Sequence, residues 1–256
     1  MSTKLLNSLA KYVRKGVRRT GYDFVRYRDL PRDLDPRIAS IVREACEYSM
    51  TSAQRILTLC EAVQYIVENE IEGDIVECGV WRGGSMLAAI KTLQVCGEKD
   101  RTCHLFDTFA GMTPPTADDV EFDGKTAAEL LSSSDRNEVD SFWCYAPLEG
   151  VRALLSTTGY NPDRMVFVKG RVEDTLPASM PDRIALLRLD TDWYESTKHE
   201  LEHLYPKLVS GGVLIVDDYG HWQGARRAVD EYVRENRLAL FLQRIDYSGR
   251  CAIKVR

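Results

Sequence analysis

Apolar positions along the chain recur at two spacings. After Ser52, residues Ile56, Leu57, Leu59, Cys60, Val63, Ile66 and Val67 return every three or four positions, so a helix is expected from a Ser52 N-cap to about Glu70. Asp35-Pro-Arg opens another over about 37–49. Apolar runs too short for helices follow at 74–78, 102–107, 164–169, 183–189 and 212–217, with helical patterns at 83–96, 147–158, 194–208 and 222–236. Two closing strands, near 238–245 and 250–255, are linked by Asp246-Tyr-Ser-Gly249, which reads as a hairpin. Strands that alternate with helices demand a parallel sheet covered on both faces. The fold class is therefore α/β, a doubly wound, mostly parallel seven-stranded sheet with N-terminal helices and a terminal antiparallel strand.

Two stretches break the pattern. Residues 1–30 interleave Lys11, Arg14, Lys15, Arg18 and Arg19 with Leu5, Leu6, Leu9, Tyr12 and Val13, the spacing of an amphipathic helix. Residues 1–34 are read as a basic helical arm or lid, and 35–256 as the main domain. From Thr108 to about Tyr145 periodicity dissolves into prolines, acids and serines. A loop that long inside an α/β domain is usually functional, so 112–145 is expected to be a mobile lid or insertion.

A net charge of −5 argues against a nucleic-acid partner, because phosphate affinity needs a basic face. The seven cysteines are scattered and never form C-x-x-C, as in a reduced cytoplasmic protein. No run approaches the length of a membrane span, and the N-terminus lacks the apolar core of a signal peptide.

Ligands of doubly wound sheets lie beyond the carboxyl ends of the strands, so chemistry is sought there. Asp74-Ile-Val-Glu-Cys-Gly-Val-Trp-Arg-Gly-Gly-Ser85 runs from strand through glycine turn to helix. A dinucleotide fingerprint would need glycine where Trp81 stands, and an indole would obstruct a pyrophosphate. S-adenosylmethionine has no phosphate to cradle, so Glu77, Gly79, Trp81, Gly83 and Ser85 are read as a methyl-donor seat. Asp107 ends the second strand, where an acid accepts from ribose hydroxyls, and Glu173 or the Val172 backbone, after the third, is read as the adenine contact. Asp190 ends the fourth strand and Asp217-Asp218 the fifth. Carboxylates converging there repel unless a cation sits among them, and oxygen-only donors favour Mg²⁺, Mn²⁺ or Ca²⁺. Asp190 doubles as candidate base, His221 is its rival, and Asp192 reads as a turn residue or one that supports the ligands from behind. His199-Glu-Leu-Glu-His203 fits the zinc-peptidase pattern literally, but on a connecting helix away from the strand ends.

Taken together, Ile71–Gly84, Phe106-Asp-Thr-Phe-Ala-Gly-Met, Val172-Glu-Asp-Thr-Leu-Pro, Leu189-Asp-Thr-Asp-Trp-Tyr-Glu-Ser-Thr and Val213-Leu-Ile-Val-Asp-Asp-Tyr resemble the macrocin O-methyltransferase (TylF/MycF) family. The resemblance spans about residue 35 to the C-terminus. It implies a class I, Rossmann-like methyltransferase using S-adenosyl-L-methionine and Mg²⁺, dimeric or larger, with mobile lids. The implied acceptor is a hydroxyl of a sugar on a natural product or glycan, a small molecule with vicinal hydroxyls. It also implies that Asp190, Asp217 and Asp218 hold the metal. Related catechol methyltransferases carry a lysine three residues after the first metal aspartate, where this chain has Trp193. The alternatives are methylation of a catechol-like hydroxyl, a metallohydrolase on the same acids, and a non-catalytic cofactor-binding subunit.

Overall fold

In the computed structural model the described residues are 30–136, 138 and 141–255, so the basic helix expected over residues 1–30 lies outside them up to residue 29. The account below concerns the compact unit formed by residues 34–256. Its strands are β1 (Asp74–Cys78), β2 (Cys103–Asp107), β3 (Met165–Lys169), β4 (Ile184–Leu189), β5 (Leu208–Val216), β6 (Gln243–Arg244) and β7 (Arg250–Ile253). They stand in the order β3-β2-β1-β4-β5-β7-β6. β1 pairs in parallel with both β2 and β4, so the winding reverses at β1 and opens a crevice beyond its carboxyl end. β7 pairs antiparallel with β5 and β6, as the hairpin pattern predicts.

The helices are α1 (Pro36–Cys46), α2 (Ala53–Glu68), α3 (Gly84–Val95), α4 (Ala127–Ser133), α5 (Leu148–Ser156), α6 (Val172–Thr175), α7 (Tyr194–Leu204) and α8 (Gln223–Glu235). Successive strand side chains alternate between the two faces of the sheet. Ile75 and Leu186 pack with Val63 and Ile66 of α2 and Leu87 and Ile90 of α3. Val76 and Leu187 pack instead with Leu201 and Leu204 of α7 and Val229 of α8. β4 is buried along its whole length, including Arg188, a charged residue in an otherwise apolar run.

Several elements differ from the sequence expectation. The helix expected to reach 208 ends at Leu204, because Pro206 cannot continue it and a 3₁₀ turn, Tyr205–Lys207, takes over. The strand expected over 238–245 shrinks to Gln243–Arg244. Its alternation is real, with Leu238, Leu240 and Leu242 half-buried against the α7–α8 side of the core and Phe241 exposed. However, β7 offers a partner only to Gln243 and Arg244, and a strand without a partner has no ladder.

The segment after Thr108 also carries structure that periodicity missed. Thr126 caps α4 and Glu129 reaches back to the Thr126 N–H, a capping box visible in the sequence as Thr-Ala-Ala-Glu. Fully buried Asp119 accepts from the N–H groups of Thr116 at 2.7 Å and Tyr194 at 2.8 Å, fastening this segment to the start of α7. The Gln223 N–H donates to Val120 O at the start of α8.

The close approach of β1 and β4 depends on Gly79. Its φ is +84°, and a Cβ there would lie 1.9 Å from the Asp190 carbonyl oxygen. Gly79 is therefore required by the fold itself, as well as lining the cleft, and a valine there is not confined to blocking a cofactor. Gly97 has φ +81° with nothing within 4 Å of a built Cβ, so it isolates the backbone cost alone. In urea denaturation, Gly97→Ala should cost roughly 1–2 kcal/mol, and Gly79→Val well beyond that. Similar midpoint shifts would mean that the β1–β4 contact relaxes freely.

Candidate active site

Arg188 reaches from β4 to three carboxylates at or just beyond the carboxyl ends of the strands. Its Nη1 donates to Glu77 Oε1 at 2.8 Å and lies 2.7 Å from Asp190 Oδ2, while Nη2 donates to Asp217 Oδ1 at 2.7 Å. A second guanidinium, Arg55 from α2, pairs with Asp217 Oδ2 and, through Nε, with Asp246 Oδ2 at 3.0 Å. Thr51 Oγ1 adds a bond to Asp217 Oδ2 at 2.9 Å. Burial alone would raise the Asp217 pKa, but Arg188 and Arg55 overcome it and hold the group below the ordinary aspartate value. Asp190 and Asp218 are pushed well above theirs by burial and by neighbouring carboxylates.

Asp190, Asp217 and Asp218 each present one oxygen within 4.8 Å of the others. Asp218 Oδ2 is buried without a hydrogen-bond partner. An all-carboxylate donor set with an orphaned oxygen fits a hard divalent cation such as Mg²⁺. The sequence reading of these three acids as one cluster matches the geometry, but Arg188 and Arg55 were not anticipated. An arginine inside an apolar strand was the available signal for the first. The second sits on an amphipathic helix and gave none.

Asp192 is more central than a turn residue. It has φ +68°, accepts from Trp222 Nε1 at 2.8 Å, and lines the same cleft. Burial, then the charge of Asp190, pushes its pKa up to about 7. His221 also lines the cleft, with Nε2 3.2 Å from Glu121 Oε1 and its ring edge-on to Trp222 and Tyr247. Burial lowers its pKa more than Glu121 raises it.

The glycine turn forms the opposite wall. Asp107 Oδ2 accepts from the N–H groups of Val80 at 2.7 Å and Trp81 at 2.9 Å, and Oδ1 from Phe109 at 2.6 Å. Asp107 thus braces the turn while lining the cleft, where its remaining acceptor position faces a ligand. Trp81 adopts φ +46°, so the turn keeps a glycine-like conformation without the glycine. Its Nε1 is buried and unpartnered, the kind of donor a ligand satisfies. Ser85 and Glu173 line the cleft as expected. Two expected donor residues do not line it. Glu77 is buried behind it on Arg188, and a Cβ on Gly83 would meet Val151 of α5 at 3.1 Å. On α7, His199 and His203 stack 4.2 Å apart, while fully buried Glu200 turns to Thr191 Oγ1. Among the described residues these three gather no further metal ligand.

The family model described as Macrocin-O-methyltransferase (TylF) matches residues 27–252. The chain is 33% identical over 232 residues to 8-demethyl-8-(2,3-dimethoxy-alpha-L-rhamnosyl)-tetracenomycin-C 4'-O-methyltransferase of Streptomyces olivaceus, covering 87% of this chain and 85% of that protein. It is 34% identical to demethyldecarbamoylnovobiocin O-methyltransferase of Streptomyces niveus, covering 79% and 74%. The solved structure of the O-methyltransferase NovP superposes with a TM-score of 0.72 at 28% identity, over 100% of both chains.

Burial pushes Glu77 from 4.5 up to about 7, against the opposing charge of Arg188. A raised carboxyl pKa means the folded state holds the proton more tightly than the unfolded state. Its stabilising contribution, roughly 3 kcal/mol, is present below about pH 4.5 and lost as pH rises through 7. In chelator, the melting temperature should therefore fall between pH 5 and 7.5, and Glu77→Gln should flatten that slope. Parallel profiles for both proteins would place the proton elsewhere.

Proposed function

Because the chain belongs to the TylF macrocin-O-methyltransferase family and is an O-methyltransferase, we propose that it transfers the methyl group of S-adenosylmethionine to a sugar hydroxyl, with Mg²⁺ held by Asp190, Asp217 and Asp218. The observation that carries this reading is the carboxylate cluster with its unpartnered Asp218 oxygen, facing the Trp81 turn across one cleft. The turn and the start of α3 take the methionine end of the donor, and Glu173 takes the adenine side. Bound Mg²⁺ supplies positive charge that favours developing negative charge on an acceptor oxygen. The proteins this chain resembles act, by their names, on a rhamnosyl-tetracenomycin and on a novobiocin precursor, which supports a glycoside acceptor.

The protein's own groups position the acceptor and remove its proton. Asp190 is 27% exposed, open enough to meet a hydroxyl. A carboxylate placed there can accept the acceptor's proton. Oxygen-rich, net-negative walls suit an uncharged glycoside better than a nucleoside-diphosphate sugar, and Met50, Phe142 and Tyr247 offer exposed apolar surface beside the cleft. Among the described residues no helix is long and apolar enough to cross a membrane.

Labelled methyl transfer with Mg²⁺, comparing aryl glycosides with nucleotide sugars of the same hexose, should show turnover chiefly with the aryl glycosides. Transfer to neither sugar but to a catechol would sink the sugar assignment. Asp190→Asn should lower turnover by about 10²-fold or more while donor affinity stays near normal. Asp192→Asn should also impair turnover, given its place beside Asp190. If His221→Ala alone is inactive, the base is His221.

A further inference from the structure

The sequence His199-Glu-Leu-Glu-His203 plays no part in the chemistry above, yet its Glu200 is fully buried beneath the cleft. Glu200 Oε1 accepts from Thr191 Oγ1 at 2.9 Å. Its Oε2 is buried without a hydrogen-bond partner, the Cys78 thiol at the end of β1 and Glu173 are near it, and no basic side chain pairs with it among the described residues. Burial favours the neutral acid of a carboxyl so placed, which still accepts from Thr191. Thr191 lies between Asp190 and Asp192, and its carbonyl also accepts from Trp193 N at 2.8 Å and Ser196 Oγ at 3.4 Å. The Asp190 N–H donates to Cys78 O at 2.8 Å. Glu200 therefore touches both segments that set where the fourth strand's acids lie.

We propose that Glu200 is a positioning residue, a strut from α7 that holds Thr191 and thereby fixes Asp190 and Asp192 for cation binding. It acts through the loop and touches neither cation nor acceptor. A neutral acid serves this purpose better than another carboxylate, since it braces an already acidic cluster without adding charge to it. The inference rests on reading Asp190, Asp217 and Asp218 as a cation site.

The test is Mn²⁺ binding, read as free Mn²⁺ by electron paramagnetic resonance, with S-adenosylhomocysteine affinity measured in parallel by calorimetry. Glu200→Gln keeps the shape and neutrality and should bind Mn²⁺ like the wild type. Glu200→Ala and Thr191→Val should each weaken binding by about tenfold, as loss of a supporting bond to a ligand loop does. The double variant should be no weaker than the weaker single one, because both remove the same bond. Donor-product affinity should be unchanged throughout. Thr191→Val tests the same bond from its exposed end should Glu200→Ala not fold. The strut is overturned if Glu200→Ala or Thr191→Val binds Mn²⁺ normally, if Glu200→Gln falls as far as Glu200→Ala, or if the two losses multiply. Absence of Mn²⁺ binding by the wild type would instead overturn the cation site, and the strut with it.

Discussion

A guanidinium buried in the central strand must find anions, and removing a partner from such a pair typically costs 3–5 kcal/mol. Arg188 meets this constraint by drawing Glu77 from β1, Asp190 from its own strand end and Asp217 from β5 to one point. The carboxyl ends of three neighbouring strands are thereby held together. Arg55 does the same from outside the sheet, joining Asp217 to Asp246 in the closing hairpin. Two guanidiniums then pair with Glu77, Asp190, Asp217 and Asp246, while Asp192 and Asp218 crowd the same cluster. The surplus of negative charge is relieved by protons at Glu77, Asp190, Asp192 and Asp218, whose pKa values are raised, or by a divalent ion.

The donor wall is coupled to this cluster by backbone. Gly79 N–H bonds to Phe106 O at 2.9 Å, and the missing Gly79 side chain lets the Asp190 carbonyl approach. The turn that faces the donor and the loop that carries Asp190 consequently share one contact. Asp107 fixes the other side of the turn through three backbone N–H groups. Trp81 and Asp192, one from each wall, both hold left-handed conformations that side chains seldom adopt. Such strained positions persist where the surrounding structure fixes them, and they gather at functional sites.

Local chemistry made much of this legible in the sequence. Apolar runs, the glycine turn and the acids after β4 and β5 are adjacent along the chain, and the doubly wound, mostly parallel sheet followed from the alternation of elements. Partnerships across long separations were not legible: Arg55 finds Asp217, and Arg188 finds Glu77, only once the sheet is wound. Glu77 stood at the right strand end, but its Oε1 accepts from Arg188 behind the cleft, whereas Asp107 lines the cleft and also accepts from backbone N–H groups. The Leu238–Leu242 alternation read as a strand because burial alternates there, whereas a strand requires a bonding neighbour as well. Within the segment after Thr108, the Thr126–Glu129 capping box was present in the sequence and outweighed by the surrounding prolines and acids.

The central claim is that the Arg188-organised acids form a cation site facing a methyl-donor seat. The most direct measurement is a crystal structure grown with S-adenosylhomocysteine and Mn²⁺, with anomalous data collected for manganese. The account predicts one anomalous peak at coordination distance from Asp190 and Asp218, with Asp217 beside it and the donor product against Trp81. Donor product in the cleft with no peak at these acids would contradict it.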